Sequence, residues 1–335
     1  MRALRWLLGT IVALTAVGAV YQIVGMVLDR QHSPPPGQMV DIGGHRLHLY
    51  CLGTGSPTVI LEAAAPGWSL YWSAVQQQLA RTTRVCAYDR AGLGWSERGP
   101  LPRTGPRMAK ELHRLLERAA IPGPYVLVGH SLGGLIARLY QHDYPQEVVG
   151  MVLVDAGHES EMRQAEFRAF ANAGKSMLPV IRVMTMLGIT RLMATYEQLP
   201  PLLTQQEAKV APEIRPMLRA GWLRTGYYST LTDESDGLIE TLEQVRRSGS
   251  LGNLPLVVVT ATGPIWWPDM PGQVNPTKFR NMWLELQQNL TTLSTNSHQV
   301  FADQSSHFIP FDQPDLVTNA VRQLIDRERS LPRRP

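Results

Sequence analysis

The stretch from Tyr125 to Leu139 constrains the fold more than any other part of the chain. Its first residues, up to Val128, predict a buried strand, and apolar residues then recur at helical spacing at Leu132, Leu135, Ile136 and Leu139. Between them lies Gly129-His130-Ser131-Leu132-Gly133, which matches G-x-S-x-G. In so tight a turn the middle residue is strained, and the glycines leave the space that a Cβ would fill. We therefore predict that the Ser131 hydroxyl projects beside a helix N-terminus and acts as a nucleophile.

Composition indicates a globular protein with a sizeable core. The chain has 335 residues, of which 44% are hydrophobic. Its net charge of +4 is modest, and the basic residues cluster only near the C-terminus, at Arg329, Arg333 and Arg334. We therefore expect no nucleic-acid partner. Cys and His residues show no metal-ligand spacing, so no metal site is predicted.

The two cysteines, Cys51 and Cys86, both fall in predicted strands. We expect them to be small buried hydrophobic residues, with a disulfide as the alternative.

The N-terminal segment predicts contact with a membrane. Residues 6–28 contain no charged residue, and this run is long enough to cross a bilayer. Arg2 and Arg5 precede it. The positive-inside rule keeps the N-terminus in the cytoplasm and sends the rest outward. An uncleaved anchor is favoured because the apolar run continues past Ala19, and a cleaved signal peptide that yields a secreted enzyme is the alternative. The prolines of residues 33–37 then indicate a short spacer.

From Val40 onward strands and helices alternate, which is typical of a mostly parallel sheet covered on both faces. The predicted strands are Met39–Ile42, Arg46–Leu52, Thr58–Ala63, Arg84–Tyr88, Tyr125–Val128, Gly150–Val154, Leu256–Thr260 and Gln299–Ala302. The predicted helices are Tyr71–Ala80, Arg107–Ala120, Leu132–Asp143, Thr277–Leu293 and Leu316–Arg329.

The segment 159–252 departs from this alternation. It has helical tendency, no convincing strand and six methionines: Met162, Met177, Met184, Met186, Met193 and Met217. Two interpretations stay open. In the first, the aliphatic, Met-rich surface of the segment lines an apolar substrate pocket. In the second, these side chains only pack the segment onto the sheet.

A serine hydroxyl needs a base and, usually, a carboxylate that orients the base. His307 follows the last predicted strand and precedes the terminal helix, so we predict that it is the base. His298 opens the last strand and would lie at the opposite edge of the sheet. The side chain of His130, inside the turn, should point away from that of Ser131.

Two residues are candidates for the acid. Asp155 ends the strand after the nucleophile, at the sheet edge where such folds build their sites, and is favoured. Asp269, which follows the seventh strand, is the less favoured alternative; Trp266 stands earlier in that loop. The oxyanion of acyl transfer needs two donors, for which we predict the backbone N–H groups of Leu132 and of Ala64, in the turn after the third strand.

These residues together resemble the α/β-hydrolase family, and in particular bacterial serine esterases. The resemblance covers residues 40–158 and 254–325 and is carried by Cys86-Ala-Tyr-Asp-Arg-Ala-Gly-Leu-Gly-Trp-Ser96, the GHSLGG turn and the late His307. It implies a mostly parallel eight-stranded sheet with an antiparallel second strand, helices on both faces, a helical cap after strand six and no cofactor. Two positions depart from the pattern: Glu62-Ala63 replaces His-Gly, and Trp266 occupies the usual acid position.

The expected organisation follows. Residues 1–38 form the anchor or signal and spacer, 39–158 and 253–330 the core, and 159–252 the helical cap. The expected function is hydrolysis of a carboxylic ester or related acyl bond of a small, apolar substrate. The alternatives are a membrane-anchored binding protein on the same fold, or a carbon–carbon bond hydrolase, thioesterase, amidase or cofactor-free haloperoxidase. The sequence does not indicate an oligomeric state.

Overall fold

The computed structural model describes residues 1–267 and 270–331. Eight strands form a single sheet: β1 (Gln38–Asp41), β2 (Arg46–Leu52), β3 (Thr58–Glu62), β4 (Val85–Tyr88), β5 (Tyr125–His130), β6 (Val148–Val154), β7 (Leu256–Ala261) and β8 (Ser297–Ala302). Their spatial order is β1-β2-β4-β3-β5-β6-β7-β8. Only β2 runs antiparallel to its neighbours, β1 and β4, and all other pairs are parallel. All eight predicted strands are confirmed, although several of their ends differ.

The helices of the described residues are α1 (Arg2–His32), α2 (Ser73–Leu79), α3 (Gly105–Arg118), α4 (Leu132–Asp143), α5 (Ala165–Met186), α6 (Ile189–Thr195), α7 (Pro201–Ala208), α8 (Arg215–Trp222), α9 (Thr225–Asp236), α10 (Leu238–Ser248), α11 (Pro276–Leu290), α12 (Ile309–Asp312) and α13 (Pro314–Ser330). Short 3₁₀ turns cover Ser69–Trp72, Pro145–Glu147, Glu161–Arg163 and Thr291–Leu293. The predicted helix from Tyr71 therefore begins as a 3₁₀ turn.

The sheet is buried on both faces because its strands are apolar on both faces. In β5, Leu127 packs into a core with α3, α4 and α10, whereas Val126 and Val128 pack on the other side with α2, α11 and α13. All six residues of β5 are buried. The turn that carries Ser131 therefore follows a fully buried central strand.

Helices α5 to α10 fill the chain between β6 and β7, and residues 155–255, all of them described, contain no strand. This agrees with a helical cap inserted after strand six. Its domain boundaries at 159 and 252 stay a prediction.

The expectation for the cysteines was wrong. Cys51 of β2 and Cys86 of β4 lie directly opposite each other, with their Cα atoms 4.0 Å apart, and form a disulfide. Antiparallel pairing puts the two side chains on the same face of the sheet, within bonding reach. Cys86 is also fully buried, so the predicted burial holds for that residue.

Candidate active site

Ser131 sits in the turn between β5 and α4 with φ +53° and ψ −120°. This is a backbone conformation that side-chain-bearing residues rarely adopt. A Cβ on Gly133 would overlap the Glu62 carbonyl oxygen, and one on Gly129 would overlap the Gly133 backbone. Both glycines of the motif are thus required by close backbone approach, as predicted.

His307 and Asp155 meet at the carboxyl edge of the sheet. The His307 Nδ1 lies 2.6 Å from Asp155 Oδ2, although the two residues are 152 positions apart. Asp155 is fully buried and His307 is 4% exposed. Asp155 also has a positive φ, +40°, like Ser131. The backbone strain within this site therefore falls on two of the residues that the sequence singled out.

The Asp155 carboxylate accepts two further hydrogen bonds. Oδ1 accepts from the Ala261 backbone N–H at 3.0 Å, and Oδ2 accepts from the Trp266 indole Nε1–H at 2.8 Å. Trp266, which occupies the position where the resemblance expects an acid, thus serves as a donor to the carboxylate that comes from β6. Asp269, the other candidate, lies outside the described residues.

The two rival histidines are accounted for. The Nε2–H of His130 donates to the His307 backbone carbonyl at 2.8 Å, so His130 supports the loop that carries His307. Burial holds the pKa of His130 well below its usual range, which keeps the ring neutral. His298 is exposed near the start of β8, at the opposite edge of the sheet.

Ser131, Leu132 and His307 line one cavity of about 350 Å³. Its walls are mainly aromatic and aliphatic, and they include Phe167, Phe170, Leu178, Leu231, Trp266, Trp267, Trp283 and Phe308. Within the described residues, Ser131 Oγ makes no hydrogen bond to His307 Nε2; such contacts often tighten only when substrate binds. The cap contributes aromatic and aliphatic side chains to this lining. None of its six methionines is among the described lining residues, and Met162 and Met217 pack onto apolar clusters instead.

Two carboxyl groups also face the cavity, Glu161 and Glu234. Glu161 is 3% exposed, and its Oε2 accepts the His158 backbone N–H at 3.0 Å. Burial raises the pKa of Glu161 to about 8, so this group is largely protonated at neutral pH and can donate a hydrogen bond. Glu161 could not be singled out from the sequence, because nothing in the sequence shows that this side chain is buried.

The turn after β3 is held by a buried arginine. Arg90 Nη1 donates to the Ala63 carbonyl at 2.6 Å, and Nη2 donates to the Ala64 carbonyl at 2.8 Å. A trans peptide directs its N–H opposite to its C=O, so the Ala64 N–H points away from Arg90. Of the alanines in this turn, Ala65 rather than Ala64 is among the residues that line the cavity.

Two glutamates neutralise this arginine. Arg90 Nη1 donates to Glu62 Oε1 at 2.8 Å, and Nε donates to Glu234 Oε1 at 2.8 Å. Glu62 also accepts from the Tyr88 hydroxyl. Glu62, which replaces the usual histidine, is therefore one of the two carboxylates that are ion-paired with Arg90. In the sequence, the only signal for this ion pair is the Asp-Arg pair within the motif at residues 86–96.

Comparison with known proteins gives the same family as the motifs. A family model described as alpha/beta hydrolase fold matches residues 57–242. An AB hydrolase superfamily protein of Gibberella zeae is 25% identical over 297 residues, which are 80% of this chain and 86% of that protein. A probable transporter of Hormonema carpetanum is 38% identical over 129 residues, 36% of this chain but only 18% of that protein.

Among solved structures, a putative lipase from Acinetobacter baumannii superposes with a TM-score of 0.66 at 18% identity. The match covers 93% of this chain and 97% of that one. At this identity the likeness concerns the fold alone.

Proposed function

Because the chain belongs to the α/β-hydrolase family, we propose that it is a serine hydrolase that cleaves a carboxylic ester or related acyl bond through an acyl-Ser131 intermediate. The proposal rests on one observation above all. The Asp155–His307 hydrogen bond lies at the cavity that also holds the strained Ser131 turn. An apolar cavity of this size suits a small, apolar acyl substrate.

In the proposed mechanism, His307 Nε2 takes the Ser131 proton while Oγ attacks the acyl carbon. The Leu132 and Ala64 N–H groups stabilise the oxyanion, at about 3 to 4 kcal/mol each by analogy with known oxyanion holes. His307 then gives the proton to the leaving alcohol. Water repeats the sequence on the acyl-enzyme and releases the acid. Asp155 holds His307 in the tautomer that has Nδ1–H and a free Nε2 lone pair.

The test is labelling of the purified full-length chain with a fluorophosphonate, with the modified residue located by mass spectrometry. We expect Ser131 to be the labelled residue. Ser131→Ala should abolish labelling and lower the hydrolysis of a short p-nitrophenyl ester by several powers of ten without unfolding the protein. Ser250→Ala, at an exposed serine outside the cavity, is the matched control. Wild-type-like turnover by a folded Ser131→Ala variant would reject the mechanism, and an unlabelled, inactive wild type would favour the binding-protein alternative.

We also propose that α1 is an uncleaved anchor and that the catalytic domain lies outside the cytoplasm. By length and composition, α1 is the single unbroken helix of the described residues that can cross a membrane. Arg2 and Arg5 precede its apolar run, and the Cys51–Cys86 disulfide suits an oxidising compartment. A C-terminal alkaline phosphatase fusion should be active. A fluorescent cytoplasmic reporter at that end, or a mature N-terminus near Val20, would contradict the proposal.

A further inference from the structure

The two halves of α1 have different surroundings. Residues 1–17 are all exposed, whereas Gly18 is half-buried and lies against Leu187 of the helical cap. A Cβ on Gly18 would overlap the Leu187 carbonyl oxygen, and one on Gly25 would overlap the Arg191 side chain. The absence of side chains at these two positions lets α1 pack closely against the end of α5 and against α6.

Polar contacts fix the depth of this packing. The buried Gln22 donates to the Leu223 carbonyl at 2.6 Å and accepts from Arg191 Nε at 3.1 Å. Arg191 also forms an ion pair with Asp29, with 2.7 Å between Nη2 and Oδ2. Sliding α1 along the cap would break all of these contacts. The position of the cap relative to the apolar run of α1 is therefore fixed.

The free part of α1 is too short to cross a bilayer alone. Residues 6–17 span about 18 Å at a helical rise of about 1.5 Å per residue. The hydrocarbon core is about 30 Å thick and needs about 20 residues, and tilt increases that number. The membrane-spanning part must therefore continue to about residue 25. That places Gly18, Gln22 and Gly25 within the hydrocarbon, together with whatever packs against them.

Apart from Leu223, the residues named above that pack against them belong to an apolar corner, which we define as residues 177–196. Its helices α5 and α6 meet at an angle of 80°. Its exposed large apolar side chains are Met177, Val180, Val183, Met186, Ile189, Leu192 and Tyr196. Its two charged residues are Arg191, which is buried and paired, and Arg182, whose long stem can carry its charge up to the headgroups. A patch of this kind marks an interaction site.

The backbone of the corner is suited to lipid. Where α5 ends, the Leu187 N–H donates to the Val183 carbonyl and the Gly188 N–H to the Thr185 carbonyl, both at 3.0 Å. The Leu192 N–H then donates back to the Gly188 carbonyl at 3.0 Å. The turn between the two helices thus satisfies these donors internally, which hydrocarbon requires because it offers no hydrogen-bond partners.

We infer that the apolar corner is immersed in the bilayer leaflet on the side of the catalytic domain, with α1 beside it. The inference rests on the proposed anchoring role of α1 and is independent of the catalytic mechanism. The protein would thus be held by one spanning helix and one helical corner that enters a single leaflet. Continuity of the corner with the anchor identifies its occupant as lipid rather than another protein.

The test uses single cysteines in the full-length chain, whose two native cysteines are joined in the disulfide. Val183→Cys and Leu192→Cys place a probe on the corner. Val12→Cys probes the free part of α1, and Thr292→Cys, at an exposed position on the opposite edge of the sheet, is the control. Each variant is labelled with an environment-sensitive fluorophore and reconstituted in phospholipid vesicles. Quenching by lipids with spin-labelled acyl chains is compared with quenching by iodide in the water.

We expect the probes at 183 and 192 to behave like the probe at 12, quenched from the lipid and protected from iodide, whereas the probe at 292 shows the reverse. If 183 and 192 behave like 292 while 12 is quenched from the lipid, the inference is wrong and the anchor stands. If all four probes face water, the anchor proposal and this inference both fail. Neither result bears on the fluorophosphonate test of Ser131.

Discussion

Asp155→Asn is the substitution that tests the proposed triad most sharply. Both carboxylate oxygens of Asp155 accept hydrogen bonds: Oδ1 from Ala261 N–H, and Oδ2 from Trp266 Nε1–H and from His307 Nδ1. An asparagine has one acceptor oxygen and one NH2 donor. Whichever way the amide is turned, its NH2 group therefore faces at least one N–H donor.

The more damaging orientation puts the NH2 group toward His307. The ring must then accept at Nδ1 and carry its proton on Nε2, where it cannot take the proton of Ser131. Loss of the correct tautomer costs about 10⁴ in kcat in the comparable triad, or about 5.5 kcal/mol in the barrier. The other orientation sets the NH2 group against Ala261 N–H, at about 1 to 3 kcal/mol of stability.

The assay is p-nitrophenyl ester hydrolysis at neutral pH, with thermal melting to confirm that each variant is folded. Asp155→Asn should lower kcat by about 10⁴ with little change in KM. Asp269→Asn is the paired control and should cost much less. If the two effects are reversed, the acid lies after β7 and the assignment to Asp155 is wrong.

Trp266, the disulfide and Glu161 each give a further prediction. Trp266→Phe keeps an aromatic ring but removes one hydrogen bond to the Asp155 carboxylate, worth about 1.5 to 3 kcal/mol, so the free energy of unfolding should fall by about that amount; an unchanged unfolding free energy would show that the bond contributes nothing. Replacing Cys51 and Cys86 together by serine opens a loop with a sequence separation of 35 and should cost about 4 kcal/mol in unfolding free energy, whereas an unaltered melting temperature would contradict the disulfide. Glu161→Gln should change the pH dependence of stability, because the folded wild type keeps the Glu161 proton up to about pH 8 whereas the unfolded chain releases it near its ordinary pKa of 4.5. The stability of the wild type relative to the variant should therefore fall between those two pH values and level off above them. A difference in melting temperature that stays constant across pH would refute the assignment.

The sheet could be predicted from the sequence because each strand is a short apolar run bounded by turn residues. The predicted β5 ends too early, at Val128, whereas the strand extends to His130. The predicted β6 begins too late, at Gly150, whereas the strand begins at Val148. His130 is polar and was assigned to the turn, yet it is buried and paired within the sheet. Tertiary pairing, rather than local composition, sets these ends.

The sequence favours Asp155 but leaves Asp269 open, because the choice between the two acids depends on where a side chain packs. Trp266 fills the space beside His307, at a ring-centroid distance of 4.7 Å, and its indole N–H meets the carboxylate that arrives from β6. The disulfide is only the less favoured alternative in the sequence for a related reason. Cys51 and Cys86 become neighbours only because β4 pairs with β2, and strand order is not written in local patterns.

The Arg90 network is harder still to predict from the sequence, since its members come from three separate segments. Arg90 follows β4, Glu62 ends β3, the carbonyls of Ala63 and Ala64 lie in the next turn, and Glu234 lies on α9. A buried ion cluster of this kind is weak evidence for stability, because apolar replacements of similar volume are often neutral or stabilising. Orientation of the turn explains the network better. Because the Arg90 guanidinium holds the carbonyl groups of the turn, the N–H groups of the same peptides point away from Arg90. Because Glu234 also lines the cavity, the same network ties the helical cap to the turn that would bind the oxyanion.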